Sequence, residues 1–549
     1  MWKRTCRSLQ PAASTLSSQA ASSIGAGGNS GSTAAVRLPH LCRGIFQTSL
    51  LPNGLRLLTI DNQSLSSGIV FLSNGGPVYE TDRNAGSSAV LQTLLYKGTQ
   101  RVKQPQLTER LAPLGLALRI VNCREAFGWG ITVPGYAREQ GLRLLSDCIS
   151  SVTNDEELFQ ACKQVAQQRE AAPEMDATRN CFELMHQTAW GGKGLGRPEL
   201  PNEEELQRLT MAEFQRYHAH MVQPDRGVLV ISGVRDHDEA AAMVMGTMEF
   251  PARAEDDAES IFRAPLVSTY TGGIGHYHNV QTFNTVKKFE EKNLCHVALA
   301  FRGVTHGAPD FMATALIQTV LGGGTAFSTG GPGKGVMTKL YRDVVWRNAW
   351  IEGMECVTAG YRDNGLVALY GQTAHENTRR LIEIMFKTAA SIATGIGTKE
   401  LEMAKNQLCS QMILLAEPRD IMVEDCAKNL LLHNTVVLQE DLLRQTSQVT
   451  LQQFRDACAR LVDSTVNGNP TYCVFGDTTD IPFRVDMLSM MAKHCPAQYA
   501  ANTTGAAPPP PADPASVAAA EAELKADEAK ALVKLNQSLA AAFRRFGPK

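Results

Sequence analysis

The amino-acid sequence predicts an α+β protein built from two homologous domains. Three observations carry that expectation. Ala89 to Thr99 reads AVLQTLLYKGT and Ala315 to Thr325 reads ALIQTVLGGGT, so Ala, Gln, Thr, Leu, Gly and Thr recur in step at an interval of 226 residues. Self-similarity at a fixed interval marks an internal repeat. Each copy also follows the same context, a strand-like apolar run (GIVFLS over 68–73; HVALAF over 296–301) and then a turn (Asn74-Gly75-Gly76; residues 303–309). Finally, 549 residues exceed what one hydrophobic core supports, while 44% apolar and 20% charged residues are ordinary for a globular chain.

Taken in order along the chain, residues 1–43 read as a mitochondrial transit peptide. No Asp or Glu precedes Asp61, whereas Lys3, Arg4, Arg7, Arg37 and Arg43 stand among many Ser, Ala and Gly. That balance, without the apolar centre of a secretory signal, is the composition of an organelle-targeting segment. The first domain is expected over 44–255. In it Leu51-Pro52-Asn53-Gly54 turns into a strand at Leu57–Ile60. The run at 68–73 is a second strand, residues 89–99 and 137–153 are helical, and Gly227–Ser232 (GVLVIS) is a late strand stopped by Gly233. Residues 256–280 are expected to be a linker. The second domain, 281–498, repeats the plan with a strand at 296–301, helices from Ala315 and over 399–415, and a late strand at Thr471–Phe475 before Gly476. Residues 499–549 combine a Pro-rich linker (PPPP at 508–511) with an Ala-rich helical stretch for which Ser516 is an N-cap. That helix suits either docking to a partner or plain solvation.

Composition excludes several classes. A formal net charge of −2 gives no reason to expect nucleic acid, and no apolar run approaches the ~20 residues needed to span a bilayer. The thirteen cysteines are scattered, odd in number and lack any C-x-x-C pair. This points to a reducing compartment and away from a disulfide framework or cysteine-rich zinc site.

Leu321 to Gly335 (LGGGTAFSTGGPGKG) is the most informative segment, with seven glycines in fifteen residues and Lys334 as its only charge. Glycine lets backbone approach a ligand closely, so the segment is expected to be a binding loop. It is not a phosphate loop. Counted back from Gly333-Lys334, the required first glycine is Ser328 and the required hydroxyl is Gly335. The loop also follows a helical run (Phe311, Ala315, Leu316, Val320) rather than a strand, and an amphipathic run (Val336, Leu340, Val344, Val345) comes after it. No H-E-x-x-H occurs, and His375-Glu376 is followed by Asn377, Thr378 and Arg379. The pairs His218/His220 and His276/His278 diverge on a helix and share a face only on a strand.

Asn53-Gly54-Leu55, the helix end Lys97-Gly98-Thr99, Leu195-Gly196-Arg197-Pro198 and the duplication together resemble the M16, or pitrilysin-type, metallopeptidases over about residues 45 to 490. The resemblance implies two LuxS/MPP-like domains, each a mostly antiparallel sheet packed with helices. Catalytic members carry H-x-x-E-H, two histidines for zinc and a glutamate as general base. The equivalent positions here are Ala89, Gln92 and Thr93, a degenerate motif. The family's third ligand falls near Arg169 or Glu170. No metal or cofactor is therefore expected in this chain.

The glycine loop resembles that of the non-catalytic alpha-type subunits in the mitochondrial processing peptidase branch of the family. This implies a heterodimer with a zinc-carrying beta subunit. It also implies recognition of precursor presequence peptides through Gly322, Gly323, Gly324, Ser328, Gly330, Gly331, Gly333, Lys334 and Gly335. Because presequences are basic, acids such as Glu352, Glu355 and Asp363 are candidates for lining the cavity that the resemblance implies the heterodimer encloses. The same fold serves as a core-2-like structural subunit of the cytochrome bc1 complex, and that role stays open. The implied location is the mitochondrial matrix, or its face of the inner membrane within complex III.

Overall fold

The computed structural model describes residues 45–94, 97–101, 103–112, 115, 117–170, 177–253, 267–278, 294–325, 338–392, 395–463 and 469–478. The expected transit peptide and C-terminal extension lie outside these residues. Twelve strands are described: β1 (Ile45–Leu50), β2 (Arg56–Asp61), β3 (Ser66–Asn74), β4 (Ala117–Asn122), β5 (Ala126–Pro134), β6 (Gly227–Ser232), β7 (Gly273–His278), β8 (Leu294–Arg302), β9 (Gly323–Thr325), β10 (Ile351–Gly360), β11 (Gly365–Ala374) and β12 (Thr471–Gly476). They form two sheets, ordered β1-β2-β6-β3-β5-β4 and β7-β12-β8-β11-β10-β9.

Once β1 and β9 are set aside, the two orders are the same path through equivalent strands. In each sheet one pair is parallel, β2 with β6 and β7 with β12, and the others are antiparallel. The continuous apolar runs of β6 and β12 are explained by their positions inside the sheets, where both faces are covered. Strand β7 falls within 256–280, where a linker is expected. Its sequence GIGHYH carries two glycines and two histidines, so no apolar alternation announces it.

The helices of the first half are α1 (Ser87–Leu94), α2 (Gln104–Leu111), α3 (Arg138–Ser150), α4 (Glu156–Glu170), α5 (Ala177–Ala189), α6 (Glu203–Arg208), α7 (Met211–Met221) and α8 (His237–Thr247). Those of the second are α9 (Phe311–Leu321), α10 (Thr378–Ser391), α11 (Thr398–Ala416), α12 (Arg419–His433), α13 (Gln439–Gln448) and α14 (Leu451–Val462). One face of each sheet packs on helices of its own half. Ile69, Phe71 and Ile131 join α1, α3 and α7 residues in one core, and Val297, Leu299 and Val474 join α9, α10 and α14 residues in another.

The opposite faces are covered by exchange. Helix α12 lays Val423, Cys426, Ala427, Leu430 and Leu431 on Leu58, Val70, Leu72, Val228 and Val230 of the first sheet. Helix α5, from the first half, lays Cys181, Phe182 and Met185 on Ala298, Ala300, Ala368 and Cys473 of the second. The small residues on that face let α5 approach closely. A Cβ on Gly275 of β7 would lie 2.2 Å from the Thr188 hydroxyl. Arg56 donates to Leu430 O at 3.0 Å, and Arg119 reaches Asp420 Oδ2 at 2.9 Å, pinning α12 to the first sheet. Burying three large aliphatic side chains beside Cys and Ala contributes on the order of 5–10 kcal/mol, comparable to the whole stability of a domain. The two halves are interlocked.

Candidate functional site

Helix α1 holds the positions of the degenerate metal motif. Its start is set by Glu80, whose buried carboxylate accepts Gly86 N–H at 2.8 Å and Ser88 N–H at 2.7 Å. These satisfy two of the donors a helix N-terminus leaves open. All eight residues of α1 are buried, and it packs against α4 and α7. Ala89 is a methyl group in the core, Thr93 Oγ1 donates to Ala89 O at 3.3 Å, and Gln92 Oε1 is buried without a hydrogen bond. The three positions thus present a methyl, a carboxamide and a hydroxyl turned to its own helix. A carboxamide has no proton-accepting role at neutral pH.

Both histidines of the 218/220 pair lie on α7 and are buried, and burial pushes the His218 imidazole down to about 4. His276 and His278 lie on β7 and share a face of that strand. Among the described residues no group of three or more His, Cys, Asp and Glu side chains is placed to hold a metal ion. Glu170 ends α4.

The glycine-rich segment begins differently from a simple loop. Helix α9 stops at Leu321, where Gly322 N–H still donates to Gln318 O at 2.7 Å. Gly322 then takes φ 55° and Gly323 φ 125°. That bend lets Gly323, Gly324 and Thr325 run antiparallel to Glu355, Met354 and Gly353 as strand β9. Both glycines are sterically obligatory. A Cβ on Gly322 would sit 2.2 Å from Thr338 Cγ2, and one on Gly323 would sit 2.1 Å from Met354 O. Cys356 N–H donates to Gly322 O at 2.9 Å, and Gly323 N–H to Thr338 Oγ1 at 3.2 Å.

The last bond joins the two feet of the segment. Beyond it the returning chain is fixed by buried Leu340, by Arg342 with Asp343 at 2.9 Å and Glu400 at 3.2 Å, and by Lys339 Nζ on Gly395 O at 3.1 Å. Beside Arg342, the Asp343 carboxyl is held below the usual carboxylate range. Ser328, Gly330, Gly331, Gly333, Lys334 and Gly335 lie outside the described residues.

Among the described residues β9 is the last strand of its sheet, so one side of its backbone ladder faces away from β10. Such an edge is a template for pairing an extended chain. Glu355, opposite Gly323, shares its face with Val357, and burial raises its carboxyl above the usual value. Glu352 sits at the bulge where β10 shifts register. Asp363 is a structural tether instead, accepting Ser268 N–H at 2.9 Å.

A second polar constellation joins the halves and is announced by no motif. Arg124, 2% exposed, meets Glu183 at 2.6 Å and donates to Leu195 O at 3.2 Å. Burial alone would lower this guanidinium's pKa, and Glu183 reverses the shift. His186 Nδ1–H donates to Phe182 O at 2.6 Å, which leaves Nε2 to accept the Tyr361 hydroxyl at 2.8 Å. Burial, then the neighbouring Arg124, keeps that imidazole neutral. Glu125 accepts Arg362 N–H on both oxygens, at 3.2 and 3.1 Å, and burial raises its carboxyl to about 7.

Comparison with known proteins bears on this arrangement. Residues 56–202 match the family described as Insulinase (Peptidase family M16), and residues 208–408 match that described as Peptidase M16 inactive domain. The chain belongs to peptidase family M16. It is similar to the mitochondrial-processing peptidase subunit alpha of Homo sapiens, 25% identical over 447 residues, covering 80% of this chain and 83% of the human protein. The protein of that name in Neurospora crassa is 24% identical over 485 residues, covering 76% of this chain and 83% of its own length. A probable counterpart in Schizosaccharomyces pombe is 23% identical over 452 residues, with 79% and 86% covered. The two α+β halves described above are the two M16 domains.

Proposed function

We propose that this chain is the non-catalytic, substrate-recognising subunit of a two-chain mitochondrial processing peptidase. In this reading it binds the basic presequences of imported precursors while a beta-type partner supplies zinc and cleaves them. The observation that carries it is β9, an edge strand among the described residues, two of whose three residues are glycine, tied by the Gly323–Thr338 hydrogen bond to the returning chain.

An extended peptide added to that edge would bond through backbone N–H and C=O groups, which every sequence possesses. Side chains that would select one sequence over another are nearly absent from the strand. Presequences share charge rather than sequence, so an edge of this kind suits them, and Glu355 beside Gly323 offers a counter-charge to a basic residue. Gly322, Gly323, Gly324, Ser328, Gly330, Gly331, Gly333, Lys334 and Gly335 form the proposed contact segment. The donor-poor trio Ala89, Gln92 and Thr93 supports placing catalysis on another chain, as does the match to an inactive M16 domain. The printed names of the relatives support a mitochondrial location, and no described helix is long and apolar enough to cross a membrane.

The reading is tested by deleting Gly330 to Gly335 in the assembled heterodimer. Presequence affinity should fall while assembly and the partner's zinc content stay intact. Unchanged cleavage kinetics after the deletion would remove the loop from substrate recognition.

A further inference from the structure

A cavity of about 550 Å³ lies where the two halves meet, away from the glycine strand. From Glu355, beside β9, to Thr358, the first β10 residue on the cavity, the distance along the strand is roughly 10 Å. Protein interiors leave few voids larger than a water molecule, whereas small-molecule sites run to ~300–1,000 Å³. This one is therefore of ligand size.

Its walls come from both halves. Phe46 and the β4–β5 turn belong to the first; α9, α11 and the outer face of α12 belong to the second. Phe311, Met312, Leu408 and Met412 make most of the wall apolar. The face of α12 opposite its sheet contacts brings Asp425, Lys428 and Asn429 to the cavity.

The charges do not cancel. Lys428 Nζ is taken by Glu424 Oε1 at 2.8 Å, and Arg124 is taken by Glu183. Glu125 is satisfied by the Arg362 backbone, and His306 and His433 stack face to face at 4.5 Å. Burial keeps both of these imidazoles below their ordinary pKa. Asp425 is half-buried and makes no hydrogen bond among the described residues; its neighbouring cation, Lys428, is the one already bonded to Glu424, and Glu440 stands exposed on the lining. The cavity is thus an apolar space with surplus negative charge and one carboxylate lacking a hydrogen-bond donor. A half-buried carboxylate that shares its nearest cation with another carboxylate gains from a further donor.

We infer that the cavity is a binding site for an amphiphilic cation, an apolar chain carrying a guanidinium or ammonium head that pairs with Asp425. The apolar chain lies against Phe311, Met312 and Met412, and the head group supplies the donors that Asp425 lacks. Burial raises the Asp425 carboxyl to about 6, and a bound cation would lower it again. Because the walls belong to both halves, the ligand would also tighten their contact, by simple linkage. The inference does not depend on the peptide-binding role of the glycine strand.

The test is calorimetric titration of the full-length protein, in the complex in which it is isolated, with octylguanidinium, octanol and octanoate. Octylguanidinium should bind saturably with a single site, and the neutral and anionic analogues should bind at least about tenfold more weakly. Asp425→Asn should weaken octylguanidinium about tenfold without altering octanol. Ala315→Trp, which fills the cavity from α9, should abolish binding; if that variant does not fold, the head-group series and Asp425→Asn decide alone. A short peptide bearing Arg and Leu that displaces octylguanidinium would identify the natural source as a peptide side chain, and failure to displace it would identify a free amphiphile. Equal affinity for octanol and octylguanidinium, an unchanged Asp425→Asn variant, or no saturable binding would each overturn the inference.

Discussion

Gly323→Ala should detach the edge strand without unfolding the protein. The new Cβ would stand 2.1 Å from Met354 O and 2.5 Å from Glu355 Cα, both backbone atoms of the neighbouring strand, so no rotamer change relieves the overlap. A φ of 125° adds about 1–3 kcal/mol of strain for any residue with a Cβ. Against this, β9 is held by three residue pairs, and each net hydrogen bond contributes only about 0.5–1.5 kcal/mol. Strain and pairing are therefore comparable, and the strand lifts off. The core beneath α9, α10 and α14 is untouched, so the melting temperature should fall by no more than about 4 °C.

Two measurements follow this separately. The Cys356 amide, which donates to Gly322 O, should lose hydrogen-exchange protection. Presequence peptide, measured by fluorescence anisotropy on the heterodimer, should bind at least about tenfold more weakly. Gly246→Ala on α8, whose Cβ meets nothing within 4 Å, is the control and should be neutral or stabilising by about 0.5–1 kcal/mol. Retained Cys356 protection together with unchanged peptide affinity would refute the reasoning about β9.

Other consequences are open to measurement. Glu125 has a folded pKa of about 7 against a usual 4.5, so its stabilising contribution is complete below about 4.5 and is lost as pH rises through about 7. The stability of Glu125→Gln relative to the native protein should therefore climb across that window in denaturant titrations and then level off; a flat difference would contradict the shift. Gln92→Leu replaces a buried, unpartnered carboxamide oxygen with hydrocarbon, and should be neutral or raise stability by up to about 1 kcal/mol by chemical denaturation. Residues 45–253 and 267–478 expressed separately should each bind hydrophobic dye and lack dispersed amide spectra, because α12 and α5 would be missing from the sheets they cover. Independent folding of either piece would show the exchange to be dispensable.

What the sequence made legible follows the range over which each signal acts. The central strands β6 and β12 are local runs of apolar residues bounded by a glycine turn, and the expected ranges nearly coincide with the observed ones. The repeat at Ala89 and Ala315 falls on α1 and α9, and the shared strand order of the two sheets extends that likeness to whole halves. The first helix is shorter than its pattern, since Lys97, Gly98 and Thr99 lie outside it. Among the glycines of 321–335, the backbone freedom legible in the sequence is used at Gly322 and Gly323, which take the positive φ values of the bend. Gly323 to Thr325 as a strand was not legible, since a three-residue glycine run has no alternation to read. The exchange of α5 and α12 left no local trace, because an amphipathic helix does not reveal which sheet will cover it. Arg124 and Glu125 likewise gain their roles from partners 59 and 237 residues away.

The central claim is that this chain recognises presequences for a catalytic partner, and one measurement addresses it most directly. The tagged protein is isolated from mitochondria in mild detergent, its partners are identified, and the eluate is assayed for presequence cleavage. The account predicts a partner carrying H-x-x-E-H and cleavage that neither chain performs alone. Co-isolation with cytochromes b and c1 and no cleavage would contradict it and make the chain a structural core subunit instead.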